Sequence, residues 1–446
     1  MQALGHRRVL ASHVVVFNPI IFGRVSLESK LLTRTIKTLK DVVDWGLCTG
    51  CGACYYACSA GHVALVNIEA VGIRPRFDSE ACAGCTKCLS ICPGHLVDGD
   101  LATRALAKET EACHEFGPAL EIWEGYASDP QIRHSASSGG VLSALALYCL
   151  EREDMAFVLH SAMDDHEPWL NATVQSRTRS EILARTGSRY APASPCDGLA
   201  AIEKSERQCV FIGKPCDTAA VGMLRHERPE LDRNLGLVLS FFCAGTPSTR
   251  GTLDLLKGMS IDTGSVTRLR YRGEGWPGAF KILDQNGSRE SSLSYEESWG
   301  KLSHYRPLRC HLCPDGLGRV ADVSCGDAWE SFNRNGDPGR SVVLVRTPRG
   351  REIVHRAMAA NYVQLTLATP ENVLAAQPNL LQKRRELFGR LAALRLFGVP
   401  VPTFRAFSLI RGWMRLPLLH RTRTFFGTAK RIIIRGLWRR RPLFVR

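Results

Sequence analysis

The sequence predicts a mixed α/β (α+β) fold in two unequal parts, a small cysteine-dense module followed by a larger α/β domain. Three observations carry that prediction. Eight cysteines crowd into two short runs between Gly46 and Val97. From about residue 115 to 375, buried-looking strands alternate with amphipathic helical stretches, the pattern of a sheet built through helical crossovers. One interval, VTRLRYRGEGWPGAFKILDQNGSRESSLSY, reads instead as an antiparallel excursion around an Asn-Gly turn, so the sheet is not expected to be purely parallel.

Residues 1–40 form a basic lead-in whose apolar stretch LASHVVVFNPIIFG is broken by His13, Asn18 and Pro19. It is far short of a membrane span and lacks the apolar core and small-residue cleavage signature of a secretory leader. Residues 41–100 contain the cysteine runs: GLCTGCGACYYACSAG is answered by EACAGCTKCLSICPGH, and the connector HVALVNIEAVGIRPRF reads as a hairpin broken at Val71 and Gly72. Cys48, Cys51, Cys54 and Cys58 have CxxCxxCxxxC spacing, which Cys82, Cys85, Cys88 and Cys92 repeat. Three thiolates at intervals of three wrap one face of a cubane, while the fourth, a helical turn further on, points to the other cluster. The expected ligand sets are therefore crossed. Cys48, Cys51, Cys54 and Cys92 hold one 4Fe-4S cluster, and Cys82, Cys85, Cys88 and Cys58 hold the second. Zinc is the alternative, but four-cysteine zinc sites rarely use so compressed a run twice. Thiols in such tight spacing in a chain of 446 residues favour metal in a reducing compartment, the cytoplasm, over a disulfide framework.

The domain at 115–375 opens on SGGVLSALALYCLERE, a helix whose Cys149 has apolar neighbours and belongs in the core. RQCVFIGKPCDTAAVGML reads as strand, turn and helix, and LGLVLSFFCAGTPSTRGTLDLLKG repeats the pattern. Ser137, Ser138, Gly139 and Gly140 stand at a helix start, where free N–H groups favour phosphate or simply cap the helix. GEGWPG matches GxGxxG, but strand-like flanks and Pro277 exclude a phosphate cradle. Cys216, Cys243, Cys310 and Cys313 occupy loop positions suited to chemistry. No catalytic acid or base is identified; Asp322 and Asp327 in ADVSCGDAW are candidates, more simply read as turn caps.

SASSGG, GSRYAPAS, FIGKPCDTAAV, SFFCAGTPS, RYRGEGWPG and CHLCPDGLGRVADVSCGDAW, in that order, resemble the landmarks of the coenzyme F420 hydrogenase/dehydrogenase beta-subunit family. A 2x(4Fe-4S) ferredoxin module in front is a common arrangement there. The resemblance implies a flavoprotein that binds FAD and passes electrons between iron-sulfur clusters and a two-electron carrier, coenzyme F420 or another organic substrate. Carried over residue by residue, Ser137, Ser138, Gly139 and Gly140 face the flavin, and Gly187, Ser188, Arg189 and Tyr190 line the same pocket. It further implies that Cys216, Cys243, Cys310 and Cys313 hold a third 4Fe-4S cluster, with Cys325 as a possible substitute ligand. Arg189 stands where lysine is more usual, and KPCD replaces TPCQ, making Lys214 and Asp217 departures. The alternative to an enzyme is a non-catalytic electron-transfer subunit; a ferredoxin or reductase is then the redox partner.

RRELFGRLAALRLFG, in a linker at 376–403, reads as an exposed helix. The tail 404–446 has twelve Lys and Arg and no Asp or Glu, leaving only +3 of the net charge of +15 to the rest of the chain. Its basic residues interleave with Trp413, Phe425, Phe426, Ile432, Ile433, Ile434, Leu437 and Trp438. That composition suits peripheral contact with an anionic membrane at its inner face better than nucleic acid or a solvated tail.

Overall fold

The computed structural model describes residues 34–78, 80–101, 113–284, 290–331 and 336–444. Most of the basic lead-in and the Asn286-Gly287 turn lie outside them. In the cysteine module, β1 (Val63–Ile68) and β2 (Gly72–Phe77) form the expected antiparallel hairpin, and β3 (Leu96–Asp98) closes the segment.

The large domain contributes β4 (Glu121–Ala127), β5 (Val158–Met163), β6 (Asn171–Ser176), β7 (Cys209–Gly213) and β8 (Leu235–Phe241). A small antiparallel sheet of β9 (Val266–Arg270), β10 (Ala279–Asp284) and β11 (Glu290–Ser294) is the predicted excursion. Then β12 (Val323–Asp327), β13 (Ser341–Val345) and β14 (Val363–Leu367) return to the main sheet, whose eight-stranded order is β14-β4-β13-β12-β8-β7-β5-β6. Strands β5, β7, β8 and β12 are mutually parallel neighbours, and the flanking pairs are antiparallel. Mixed α/β is the fold class. The central strands read as unbroken apolar runs, LGLVLSF and SVVLV, because both faces are covered.

One face carries helices Val141–Arg152 and Pro348–Ala359, with Leu145, Leu147, Val210, Leu237, Val343 and Ile353 in their shared core. The other carries helix Pro215–Glu227 together with Cys51, Ala53, Ala57 and Ile91, so the cysteine module shares a core with the main sheet. Since β4, β5, β7, β8 and β12 run in one direction, the loops after them gather along a single edge, where open α/β sheets place their chemistry.

The stretch beyond residue 402 is not a loose tail. β15 (Thr403–Arg405) pairs in parallel with β3. Helix Leu418–Ile434 packs on helix Leu387–Leu396, burying Ile432 beside Leu387, Leu391 and Leu394. The helix expected to be exposed is therefore a packed one. Arg440 pairs with Asp41 at 3.1 Å and Asp44 at 2.9 Å, and the Arg441 N–H donates to the Asp44 carbonyl at 3.0 Å. Residues at both ends of the described chain thus meet on the cysteine module.

Candidate redox site

Cys48, Cys51, Cys54 and Cys92 are all buried. Left-handed backbone at Gly50 and Gly52, with φ of +73° and +86°, bends the run tightly enough to aim its sulfurs inward. A Cβ at Gly52 would meet the Ser194 carbonyl at 2.8 Å, so the module is also pressed against the large domain there. These four cysteines, joined by Cys88, line a cavity of about 330 Å³ flanked by Leu65, Pro75, Ile91 and Pro93. Burial pushes the Cys54 thiol well up, and the neighbouring Cys51, Cys48, Cys92 and Cys88 sulfurs add to it. The Cys92 thiol is raised by burial and then by Cys48 and Cys51.

The other four form a separate, outer group. Burial, followed by Cys58, Cys85 and Cys82, pushes Cys88 up to about 11. Cys58, Cys82 and Cys88 are partly exposed and Cys85 is exposed. The sulfurs therefore sort into Cys48, Cys51, Cys54 and Cys92 inside and Cys58, Cys82, Cys85 and Cys88 at the surface. The Cys88 thiol donates to the Cys54 carbonyl at 3.7 Å, placing the groups side by side. Among the described residues no three His, Cys, Asp or Glu side chains converge tightly enough for a single metal ion. The inner all-thiol set surrounds a space, and thiolate donors around a space fit a multi-iron cluster.

A second cavity, about 640 Å³, is lined by Cys216, Cys243, Cys310 and Cys313. Cys216 stands in the first turn of helix Pro215–Glu227 after β7, and Cys243 follows β8 by two residues. Cys310 lies in helix Leu308–His311 and Cys313 just beyond it. Burial pushes Cys243 up to about 12, helped by Cys310 and Cys313 and opposed by Lys383. Cys48 of the inner group lines this same cavity, along with the cations Arg74, Lys214, Arg309 and Lys383. Cys325 does not; it is held in β12 within the apolar core. The departures Lys214 and Asp217 form a buried ion pair at 2.8 Å, and Lys214 also donates to the Ala193 carbonyl. Burial opposes the Lys214 charge, but Asp217 beside it wins and raises the lysine.

Ser137 to Gly140 lead into helix Val141–Arg152 and meet the other predicted stretch directly: the Ser188 N–H donates to Ser137 Oγ at 2.5 Å. Ser138 Oγ donates to the Arg340 carbonyl at 3.0 Å and lies 2.9 Å from Ser341 Oγ. A Cβ at Gly139 would meet the Gly125 carbonyl at 2.5 Å, so close packing already requires glycine. Gly140 and Gly187 have φ of +78° and +103°. Arg189 is a backbone clamp, donating to the Asn171 side chain and to the Pro168, Leu170 and Leu269 carbonyls. Tyr190 packs on Trp299 and Tyr271.

Beside this stretch stand the two candidate aspartates and partners that no sequence signal singled out. Asp327 accepts both Arg272 guanidinium nitrogens, at 2.8 and 3.0 Å, and Trp276 Nε1 at 2.7 Å. Trp276 and Tyr295 stack on Trp329, with Arg272 over Tyr295 and Trp329. Asp327 is an ion-pair anchor, not a turn cap. Asp322 accepts the Val238 N–H and the Thr347 hydroxyl, joining β8 to the start of helix Pro348–Ala359. Cys196, likewise unremarked in sequence, is fully buried. Its N–H donates to the Cys51 carbonyl at 3.1 Å, and its thiol hydrogen bond holds the Cys51 thiol below its ordinary range.

Residues 47–97 match the 4Fe-4S dicluster domain. Residues 122–200 match the N-terminal region, and 206–371 the C terminus, of the coenzyme F420 hydrogenase/dehydrogenase beta subunit, between them more than half of the chain. A relative from Methanococcus voltae, the coenzyme F420 hydrogenase subunit beta, is 24% identical over 64% of this chain and 99% of its own length. The beta subunit of F420-dependent formate dehydrogenase 1 from Methanococcus maripaludis is 22% identical over 57% of this chain and 63% of its own. A chain of the F420-reducing [NiFe] hydrogenase complex from Methanosarcina barkeri superposes with a TM-score of 0.49 and 21% identity, covering 63% of this chain and 94% of that one. The chain belongs to the coenzyme F420 hydrogenase/dehydrogenase beta-subunit family, with a 4Fe-4S dicluster domain at its front.

Proposed function

We propose that this chain is an oxidoreductase subunit carrying electrons between a partner redox protein and FAD, which exchanges a hydride with coenzyme F420 or another organic substrate. Electron transfer itself follows from the family and its 4Fe-4S domain. Each of the two ferredoxin thiol sets would hold a 4Fe-4S cluster, and Cys216, Cys243, Cys310 and Cys313 would hold a third. Flavin, when bound, takes a hydride in one step and releases electrons singly, which is the junction such a chain requires. The single observation behind the reading is the shared wall: Cys48, an inner-set thiol, lines the cavity of the third set. Outer set, inner set and third set thus form one continuous series running from an exposed cysteine to the catalytic edge of the sheet. Arg74, Lys214, Arg309 and Lys383 offset the negative charge of the thiolates around that cavity. Ser137, Ser138, Gly139, Gly140, Gly187, Ser188, Arg189 and Tyr190 would border the flavin. The partner is a one-electron carrier such as a ferredoxin or reductase, in a reducing compartment, the cytoplasm.

The test is the composition of protein purified without air. About twelve irons per chain with yellow flavin is the expected result, and Cys243→Ser should lower iron to about eight while leaving both ferredoxin clusters spectroscopically intact. Eight irons in the parent chain overturns the third cluster; absence of flavin overturns the hydride step. A second reading is an electron-transfer subunit without a small-molecule substrate. It is supported by Ser137, Ser138 and Arg189, whose polar atoms already serve the fold. Flavin-loaded protein that stays oxidised with reduced F420 and nicotinamides, yet reduces a partner, decides for it.

A further inference from the structure

Helix Leu418–Ile434 buries one stripe and offers an unusual one to solvent. Phe425, Thr428 and Ile432 face helix Leu387–Leu396. On the opposite side, spaced four and three residues apart, stand Leu419, Arg423, Phe426, Lys430 and Ile433, with Ile434 beside them, all exposed. Leu419 is 81% and Phe426 66% exposed. The stripe alternates apolar and cationic side chains. Trp438, just past the helix, is exposed as well, and its ring carries the Arg439 guanidinium at 4.5 Å. No Asp or Glu occurs anywhere in 404–446.

We infer that this stripe seats the protein flat on an anionic lipid bilayer, with the apolar side chains below the headgroups and Arg423 and Lys430 on the phosphates. The inference stands apart from the redox reading. A protein partner fits less well, because interface cores are depleted in lysine and sit within rims of both signs. Here cations are threaded through the apolar row, and among the described residues Arg423 and Lys430 form no ion pair, in a segment that itself holds no acid. An anionic headgroup layer supplies that missing sign, and tryptophan favours its depth. No described helix is long and apolar enough to cross a membrane, so the geometry is that of a helix lying in the interface. Because its inner stripe is packed, the helix cannot roll, and the bilayer holds the whole body in one orientation.

The test uses the full chain, cluster-loaded, in cosedimentation with vesicles of phosphatidylcholine alone or mixed with phosphatidylglycerol. Binding to the mixed vesicles that weakens with salt is expected. The double variants Leu419→Asp with Phe426→Asp, and Arg423→Glu with Lys430→Glu, should each weaken partitioning by at least about tenfold with iron content unchanged. Three results overturn the inference: a parent chain that stays in the supernatant with anionic vesicles, variants that partition like the parent, or a lipid-free dimer by analytical ultracentrifugation that the Asp variant splits while vesicle binding persists. The last assigns the stripe to a second copy of the chain.

Discussion

His160 sits fully enclosed at the start of the domain's second strand, its Nε2 2.8 Å from Ser176 Oγ. Burial first, and then the Arg185 charge, lowers its pKa to about 4 from the ordinary 6.5. Between those values the unfolded chain takes a proton that the folded chain refuses. Stability is therefore full above about pH 6.5 and lost as pH falls toward 4, by at most about 1.4 kcal/mol per pH unit. Urea unfolding across that window should show a shallower slope in His160→Gln than in the parent; equal slopes count against the assignment. At this scale the sequence was readable where chemistry is local. The eight ferredoxin cysteines declare themselves by spacing alone, because each run repeats the same compressed CxxCxxCxxxC pattern. Cys216, Cys243, Cys310 and Cys313 reach their cavity from separate elements, so only family landmarks could group them. Cys196 and Arg272 act through partners distant in sequence, and no short pattern marks them.

Two glycines in the paired helices near the C-terminal end differ in what surrounds them. A Cβ on Gly389 would strike the Trp413 ring, whereas one on Gly427 would meet nothing within 4 Å. Gly389→Ala should cost about 1–3 kcal/mol through overpacking. Gly427→Ala should add up to about 1 kcal/mol by restricting the unfolded chain and favouring helix. Paired thermal melts of the two variants check both signs at once. The helix around Gly389 was legible as a helix but misread as exposed, because its cover, helix Leu418–Ile434, lies downstream in what composition presents as a tail. The hairpin of β1 and β2 and the antiparallel excursion were legible because turn and strands are contiguous. The order of the main sheet was not, since β14 and β4 are neighbours from opposite ends of the domain.

Across the molecule, the two ferredoxin sets differ in burial: Cys85 is exposed, while Cys48, Cys51, Cys54 and Cys92 are enclosed. On the proposed function the outer set would be the side at which a protein carrier docks, and Cys85→Ser would separate the two ends of the route. That variant should hold about eight irons, lose most of its reduction by a protein carrier, and keep reduction of its remaining centres by a hydride donor. Equal loss at both ends, followed by stopped-flow spectroscopy, would show that the outer set is not the docking side.

The clasp of Arg440 and Arg441 on Asp41 and Asp44 also bears on manufacture. A ribosome delivers the amino-terminal thiols long before the arginines that brace their module, and before β15 can lie beside β3. The clasp therefore closes only after every thiol of the module has left the ribosome.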